Sequence, residues 1–257
     1  MIRPGLVSVS FRSLTPREVI ELATNSGLEG IEWGGDHHVP HGNLRRAREV
    51  RSMTEDAGLV VVCYGSYYRA GLDSDPALVI ETAVRLGAPM IRIWAGSKGS
   101  QAVDPAEFST IVDDLRGFTL LAEQAGIAVT IEFHPDTLAD TPGSTMRLWD
   151  EVGSNNLGIN WQPDSRVGYE DRVASLKGVL PKLTNLHVFN WTRQGETTVR
   201  RPIAEAATEW LTFLEVAAGE RFALLEFMPN DLPMELPTEA ATLQEWLAAQ
   251  PRSLLSQ

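Results

Sequence analysis

Four short apolar segments in the second half of the chain each lead to a side chain that can bind a metal ion or carry a proton. These side chains are Glu132, Gln162, His187 and Glu226. Carboxylate, amide and imidazole groups are ligands for hard and borderline divalent cations, and carboxylates also act as general acids and bases. The pattern therefore predicts a site for metal binding, for proton transfer or for both.

Side-chain parity predicts that the four groups point in a common direction. In a strand, alternate side chains share a face, so Ala128, Thr130 and Glu132 lie opposite Ile131 and Phe133. The later segments repeat this parity, with shared faces made of Gly158, Asn160 and Gln162, of Asn185 and His187, and of Phe222, Leu224 and Glu226. One buried strand that ends in a polar residue is ordinary, but four in succession favour a common site at the strand ends.

The elements that must position these groups alternate between β-type and helical patterns, with a repeat of roughly 30 residues. Strands are expected at residues 6–11, 30–33, 59–64, 90–94, 127–133, 157–161, 185–189 and 222–227. Helices are expected at residues 16–25, 44–56, 76–86, 105–124, 144–152, 169–180, 203–218 and 238–249. Eight such units with parallel strands predict an α/β fold, a single (β/α)8 TIM barrel.

Helix-start signals and chain continuity support one barrel rather than several domains. Pairs of a capping residue and a proline occur at Thr15-Pro16, Asp75-Pro76 and Asp104-Pro105, and such pairs are typical of the first turn of a helix. No linker or low-complexity stretch interrupts residues 1–257. An open doubly wound sheet is the alternative, but no glycine-rich phosphate-binding loop follows any expected strand.

Composition limits the classes of partner. The 257 residues are 43% hydrophobic and carry a net charge of −12, which argues against binding to a nucleic-acid backbone. The one cysteine, Cys63, lies in an apolar segment and is expected to be a core residue. No apolar run approaches the roughly 18 residues of a membrane span, so we predict no membrane partner and a cytoplasmic location.

Taken in order, several segments resemble the xylose isomerase-like TIM barrels. They read GLVSVSF, GLEGIEWGGD, AGLVVVCYGSYY, LGAPMIRIWAG, AGIAVTIEFHP, LHVFNWTR and FALLEFMP. This group of sugar and sugar-phosphate isomerases and epimerases also contains hydroxypyruvate isomerases, inosose dehydratases, dehydroshikimate dehydratases and endonuclease IV. The resemblance spans nearly the whole chain. Endonuclease activity is not expected, because the chain has only five histidines and the wrong overall charge.

The resemblance also implies a set of metal ligands. In that family a divalent ion, usually manganese, cobalt, magnesium or zinc, is held by Glu, Asp, His and Glu at the ends of the fifth to eighth strands. Position by position, this implies Glu132, His187 and Glu226 as ligands, with manganese expected and cobalt, magnesium and zinc as alternatives. The sixth-strand position holds Gln162 in place of the usual Asp, and Asp164 is the alternative ligand there.

Residues after the expected strands are candidates for contacts with a substrate. Arg193 lies six residues after His187, as does a substrate-binding arginine of the related ketose epimerases, and Glu32 stands on the inward face of the second strand. An aromatic rim at this end suits the faces of sugar rings. The candidate substrate-binding residues are His134, Arg193, Glu32, His38, Tyr67, Trp94 and Lys98.

The function implied by these features is a divalent-metal-dependent isomerase or epimerase acting on a small sugar, ketose or polyol-derived carbonyl compound. Glu132 and Glu226 are expected to transfer the proton that forms an enediolate. A lyase of the inosose or dehydroshikimate dehydratase type is the first alternative, because it begins with the same proton abstraction. A non-catalytic polyol-binding protein is the second. The resemblance further implies a homodimer or a homotetramer.

Overall fold

Eight parallel strands form a closed barrel in the computed structural model, which describes residues 1–73, 75–195 and 197–250. The barrel strands are β1 (Ile2–Val7), β2 (Gly30–Gly34), β3 (Val60–Arg69), β4 (Met90–Trp94), β5 (Ala128–Glu132), β6 (Leu157–Trp161), β7 (Leu183–Val188) and β10 (Arg221–Leu225). Between β7 and β10, strands β8 (Asn190–Gln194) and β9 (Thr197–Arg201) form a separate antiparallel hairpin. Strand β10 pairs with both β7 and β1 and so closes the barrel. The predicted (β/α)8 TIM barrel is confirmed.

Helices cover the outside of the barrel. They are α1 (Pro16–Asn25), α2 (Leu44–Asp56), α3 (Pro76–Leu86), α4 (Pro105–Gln124), α5 (Pro142–Val152), α6 (Tyr169–Val179), α7 (Ala207–Val216) and α8 (Leu236–Ala249). Thr15, Asp75 and Asp104 cap α1, α3 and α4 with their side chains, each followed by a proline in the first turn. The predicted starts of these helices are therefore correct. Such caps stabilise a helix start because they bond backbone N–H groups that lack partners within the helix.

The strands differ from the prediction in two respects. Residues 6–11 were expected to form the first strand, but β1 ends at Val7 and Ser8–Phe11 form a 3-10 turn. The Ser8 hydroxyl oxygen accepts a hydrogen bond from the Gly34 N–H, so a side chain bonds the neighbouring strand at this point. The hairpin of β8 and β9 was not predicted, because its short strands contain few of the apolar residues that mark a buried strand.

The apolar core has two parts, one on each side of the barrel wall. The larger part fills the layer between the strands and the helices, and a smaller cluster of Val7, Val9, Val62, Cys63 and Leu224 lies inside the barrel. Burial raises the pKa of the Cys63 thiol well above its usual range, which fits an inert core residue. Within the described ranges, every helix is too short or too polar to cross a bilayer.

Candidate active site

The four metal-competent side chains predicted from the sequence converge on the imidazole of His187. Its Nδ1 atom lies 3.4 Å from Gln162 Oε1, 3.4 Å from Glu226 Oε2 and 3.6 Å from Glu132 Oε1. All four residues are buried, with at most 6% of their surface exposed. They meet because β5, β6, β7 and β10 are consecutive neighbours in the barrel wall.

Gln162, and not Asp164, is the sixth-strand residue that faces this centre. Strand β6 ends at Trp161, and Gln162 continues the inward parity of Asn160 by one more step. The Asp164 carboxylate instead accepts hydrogen bonds from Arg166 Nε and Nη2, both at 3.1 Å. The geometry therefore favours Gln162 among the two alternatives that the sequence left open.

A buried guanidinium that the sequence analysis did not single out lies between two of the carboxylates. Arg92 on β4 is 1% exposed, its Nε donates to Glu32 Oε1 at 2.7 Å and its Nη1 donates to Glu132 Oε2. A Cβ atom on Gly65 would lie 2.8 Å from both Arg92 Nη2 and Glu32 Oε1, so glycine is needed to leave room for the pair. The available signal was an arginine inside the apolar segment MIRIW, because a charge in a buried strand requires a buried partner.

Glu32 belongs to this buried network rather than to the barrel mouth. The residue has no exposed surface, and its Oε2 atom lies 3.3 Å from His187 Nε2. Its predicted role in substrate binding does not agree with this position, because Arg92 and His187 already engage both carboxylate oxygens. Glu32 instead orients the imidazole, as carboxylates commonly do for metal-binding histidines.

Trp94 supports Glu132 and does not offer a free face to a sugar ring. Its Nε1 donates to Glu132 Oε2. The Arg69 guanidinium lies 3.8 Å from the centre of the indole, and the His134 imidazole stacks on it at 4.8 Å with an interplanar angle of 20°. Two planar groups this close to one ring must occupy opposite faces. The prediction that Trp94 stacks on a substrate therefore conflicts with the structure.

The buried charges strongly perturb the pKa values of the central groups. Burial alone raises the pKa of Glu132, but the attraction of Arg92 and His187 outweighs it and holds the pKa well below its usual range. Burial alone lowers the pKa of His187, but the carboxylates of Glu226 and Glu32 raise it well above its usual range. The surroundings of His187 Nδ1 thus favour positive charge at that point.

The charge of these donors, and their distances from His187 Nδ1, suit a divalent cation. Ligand atoms about 2.1 Å from a tetrahedral ion are separated from one another by about 3.4 Å, close to the three distances measured from His187 Nδ1. With their side chains ionised and His187 neutral, Glu32, Glu132, Glu226 and Arg92 carry a combined charge of −2 in a buried space. A divalent cation would neutralise that charge, and buried charges need such compensation.

The donors are nevertheless not arranged as a finished metal site. In the part of the chain that the structure describes, no group of three or more His, Cys, Asp or Glu side chains has a geometry ready for an ion. The set therefore depends on the amide oxygen of Gln162 as a further donor.

A cavity of about 540 Å³ lies elsewhere, beside the first turns of α4 and α5, and contains none of these residues.

Tyr67 lies at the mouth, towards the end of β3, and its contact with a substrate stays a prediction. Its hydroxyl accepts a hydrogen bond from Arg12 Nη2 at 2.7 Å, and its ring centre lies 5.8 Å from that of Trp94. Burial raises the pKa of Tyr67 to about 12, against the opposing effect of Arg92, so the phenol stays protonated at neutral pH. A protonated phenol beside the central carboxylates can donate a hydrogen bond to a substrate oxygen.

His134 lies beside the central carboxylate through its stacking on Trp94. Its Nδ1 atom is bonded to the carbonyl oxygen of Pro135, so Nδ1 carries the proton when the ring is neutral. The Nε2 atom is then an acceptor. This tautomer makes His134 a candidate for contact with a substrate hydroxyl, and that role stays a prediction.

His38 and Lys98 do not occupy the positions that substrate binding requires. His38 is 1% exposed, with Nδ1 3.1 Å from the Ser8 hydroxyl and Nε2 3.2 Å from the carbonyl oxygen of Leu14. Lys98 forms an ion pair of 2.9 Å with Glu107 at the start of α4. His38 therefore holds loops together beneath the surface, and Lys98 is engaged by a carboxylate in the first turn of α4.

The hairpin of β8 and β9 brings a different arginine towards the site from the one predicted. Arg193 is exposed and lies nearer the tip of the hairpin. Arg200, which pairs with Trp191 in the hairpin register, stacks 4.3 Å from the ring centre of Phe227 and forms an ion pair with Asp231. The return strand β9 could not be foreseen from sequence spacing, and the role of Arg193 in substrate binding stays a prediction.

Non-glycine residues with positive φ angles gather at this end of the barrel. They are Tyr67, Asp136, Phe227, Asn230 and Asp231, with φ between 54° and 64°. Tyr67 lies two residues before the end of β3, and the other four follow β5 or β10. This conformation is rare for side chains as bulky as those of Tyr67 and Phe227. Backbone strain of this kind clusters at functional sites, which independently marks this face of the barrel.

Comparison with known proteins agrees with the fold and identifies a family. The profile of the xylose isomerase-like TIM barrel family matches residues 20–196. A 3-dehydroshikimate dehydratase of Bacillus anthracis is 26% identical to this chain over 272 aligned positions, which cover 93% of this chain and 95% of the relative.

Solved structures give the same grouping. The probable 3-DHS dehydratase AsbF of Bacillus anthracis, involved in petrobactin synthesis, superposes with a TM-score of 0.80 at 25% identity and covers 95% of this chain and 99% of its own. A xylose isomerase-like TIM barrel protein of Mycobacterium smegmatis, solved in complex with magnesium, has a TM-score of 0.70 at 16% identity, with 97% and 98% covered. The second likeness bears on the fold alone.

Proposed function

Because the chain belongs to the xylose isomerase-like TIM barrel family, we propose that it is a divalent-metal-dependent lyase that removes water from a β-hydroxy ketone of the 3-dehydroshikimate kind. The observation that carries the proposal is the buried donor set around His187 Nδ1. From the sequence alone, an isomerase or epimerase is the first expectation and a lyase the second. The order is reversed here because a relative that matches most of the chain bears the name of a dehydratase.

The cation would be held by Glu132, Gln162, His187 and Glu226. When bound, such an ion supplies Lewis-acid stabilisation for the oxygens of an enediolate. Oxygen-rich donor sets with one imidazole suit manganese, cobalt, magnesium and zinc, and manganese is the ion we expect. Glu32 supports metal binding without being a ligand. Its contact with His187 Nε2 keeps the Nδ1 lone pair directed at the oxygen donors.

The chemical step needs one group that first accepts and later returns a proton. In 3-dehydroshikimate the carbon between the ketone and the β-hydroxyl carries a hydrogen, and its removal gives an enediolate. Departure of the β-hydroxyl as water then leaves a dienone that tautomerises to 3,4-dihydroxybenzoate. The proton taken from carbon leaves with the hydroxyl, so one carboxylate can serve as base and then as acid.

Glu226 suits this role better than Glu132. Both carboxylate oxygens of Glu132 are engaged, one by Arg92 and Trp94 and the other facing His187. Its lowered pKa makes it a weak base. Glu226 contacts the imidazole through Oε2 at 3.4 Å. We therefore assign orientation and metal binding to Glu132 and proton transfer to Glu226, a refinement of the pair predicted from the sequence.

The test is to strip divalent ions from the purified protein and add Mn²⁺, Co²⁺ or Mg²⁺ separately. Loaded protein is expected to convert 3-dehydroshikimate to 3,4-dihydroxybenzoate, and the chelated protein is not. The metal should also raise the melting temperature, since an ion at 100 times its Kd stabilises the folded state by about 2.7 kcal/mol. Full activity after exhaustive chelation would contradict metal dependence.

The same preparation separates the lyase from the isomerase or epimerase. Incubation with ketoses and inososes in deuterated water would reveal an isomerase by a new stereoisomer with deuterium next to the carbonyl. Isomerisation without any catechol formed from 3-dehydroshikimate would reverse our assignment. Absence of bound metal together with reversible polyol binding and no turnover would instead support the non-catalytic alternative.

A further inference from the structure

Two partly exposed arginines stand above the acidic centre and take no part in the reaction proposed above. Arg12 follows the turn after β1, and Arg200 lies on β9. Their side chains are 42% and 29% exposed, so both are within reach of a ligand at the mouth.

Arg12 is fixed in place by three contacts. Its Nε donates to Asp36 Oδ2 at 2.7 Å, its Nη2 donates to the Tyr67 hydroxyl at 2.7 Å and its Nη1 donates to the carbonyl oxygen of Val9 at 3.2 Å. A guanidinium has five N–H groups, so one hydrogen remains on each terminal nitrogen. The anchoring contacts orient these two donors and lower the entropy that ligand binding would cost.

Arg200 is held by an ion pair and by contacts with two aromatic rings. Its Nη1 donates to Asp231 Oδ1, and its guanidinium lies 4.3 Å from the ring centre of Phe227 and 5.8 Å from that of Trp191. The Phe227 N–H donates to the Ser10 hydroxyl at 2.9 Å. Since Ser10 is two residues from Arg12, the surface under Arg200 is tied directly to the turn that carries Arg12.

The carboxylate of Glu226 affects the pKa values of both arginines. Burial lowers the pKa of Arg12, but Asp36, Tyr67 and Glu226 together raise it above its usual value. Burial lowers the pKa of Arg200, an effect that Glu226 opposes and Arg12 reinforces. Both guanidinium groups therefore respond to the charge of Glu226, and the hydrogen bond between Phe227 and Ser10 joins the surfaces that carry them.

We propose that Arg12 and Arg200 form a clamp for a carboxylate group of the substrate, on the Glu226 side of the mouth. This inference rests on the proposed function, and it identifies the substrate as an anionic hydroxy ketone rather than a neutral sugar. The planar fork of a guanidinium matches the two oxygens of a carboxylate. A phosphate dianion suits the pair less well, because Asp36 and Asp231 already offset much of its positive charge.

The clamp also explains how the reacting carbon is placed. A substrate held by its carboxylate beside Glu226 directs its ring towards the central donors, so the arginines act on position and specificity and not on the chemistry. Removal of either guanidinium should therefore raise KM for an acidic substrate much more than it lowers kcat.

The experiment compares an acid with its neutral isostere. Binding of 3,4-dihydroxybenzoate and of 3,4-dihydroxybenzamide to the Mn²⁺-loaded protein is measured by calorimetry for the wild type and for Arg12→Gln, Arg200→Gln and Arg45→Gln. Arg45 forms an exposed pair with Glu49 on α2, so its substitution removes the same charge far from the mouth. Arg200→Lys tests whether charge alone suffices.

We expect the wild type and Arg45→Gln to bind the acid at least tenfold more tightly than the amide. Arg12→Gln and Arg200→Gln should lose most of that preference while the affinity for the amide changes little, and Arg200→Lys should recover part of it. Equal binding of acid and amide by an active dehydratase would overturn the clamp and leave the proposed function intact. Binding of neither compound, with turnover of a neutral ketose instead, would overturn both.

Discussion

The Nε2 atom of His187 lies 3.3 Å from Glu32 Oε2, on the side of the imidazole opposite the Nδ1 atom that faces the oxygen donors. Glu32 reaches this position from β2, across the barrel from β7, and is itself held by Arg92 at 2.7 Å. The imidazole is thus fixed between a carboxylate that orients it and the candidate metal ligands.

Glu32→Gln should weaken metal binding although Glu32 is not a ligand. An amide is a poorer acceptor for the Nε2 proton, so His187 becomes less basic and less well oriented, and such changes commonly cost about 10-fold to 100-fold in metal affinity. Titration of Mn²⁺ into the metal-free protein by calorimetry measures the effect. Glu29→Gln, which alters an exposed pair with Arg3, is the control. Unchanged affinity in Glu32→Gln would show that the contact does not support the metal.

Gln162→Asp should bind the ion more tightly than the wild type. The substitution adds a negative charge to a buried donor set, and we expect about a tenfold gain, or about 1.4 kcal/mol. Asp164→Asn should leave affinity unchanged, because Asp164 is engaged by Arg166. If Gln162→Asp binds no better and Asp164→Asn weakens binding, the sixth-strand ligand is Asp164.

Arg92→Met should destabilise the fold strongly. It leaves Glu32 and Glu132 buried without their shared cation, and removal of one partner from a buried ion pair costs about 3–5 kcal/mol. Urea denaturation of the metal-free protein measures the change. Arg85→Gln, in an exposed pair with Glu81, should cost at most about 1 kcal/mol. A loss for Arg92→Met as small as for this control would mean that water or protonation already compensates the carboxylates.

Glu226→Gln should lower the rate by at least about 100-fold, the scale of general acid–base effects, while the protein still folds and binds metal more weakly. Glu132→Gln should act mainly on metal affinity, because the Glu132 carboxylate is held by Arg92 and Trp94. Rates are compared at saturating Mn²⁺. A normal rate for Glu226→Gln under that condition would remove Glu226 from proton transfer.

The fold should lose stability in acid partly through His38. Burial lowers the pKa of His38 to about 4 from its usual value near 6.5, so the unfolded chain binds a proton there more readily than the folded one. Stability from this group is complete above pH 6.5 and declines by at most about 3 kcal/mol as the pH falls towards 4. His38→Gln should flatten that part of the curve of unfolding free energy against pH. His37→Gln, at the exposed neighbour, should not.

The repeated architecture and the candidate donors of the site could both be predicted from local patterns in the sequence. Helix starts such as Asp104-Pro105 and strand parity such as Thr130 with Glu132 depend on local backbone geometry, so they can be recognised without the fold. Parity also predicted that Glu132, His187 and Glu226 face inward, and the barrel topology then brings them together.

The contacts among the remaining polar residues could not be predicted from local patterns, because they form between distant parts of the chain. Arg92 pairs with Glu32 across 60 positions of sequence, and His187 meets Glu32 across 155. Arg200, and not Arg193, comes to lie on Phe227, and His38 turns inward to Ser8 and Leu14. Local pattern gives the direction of a side chain from its own strand, but the partner that a buried charge finds depends on closure of the barrel and on the path of its loops.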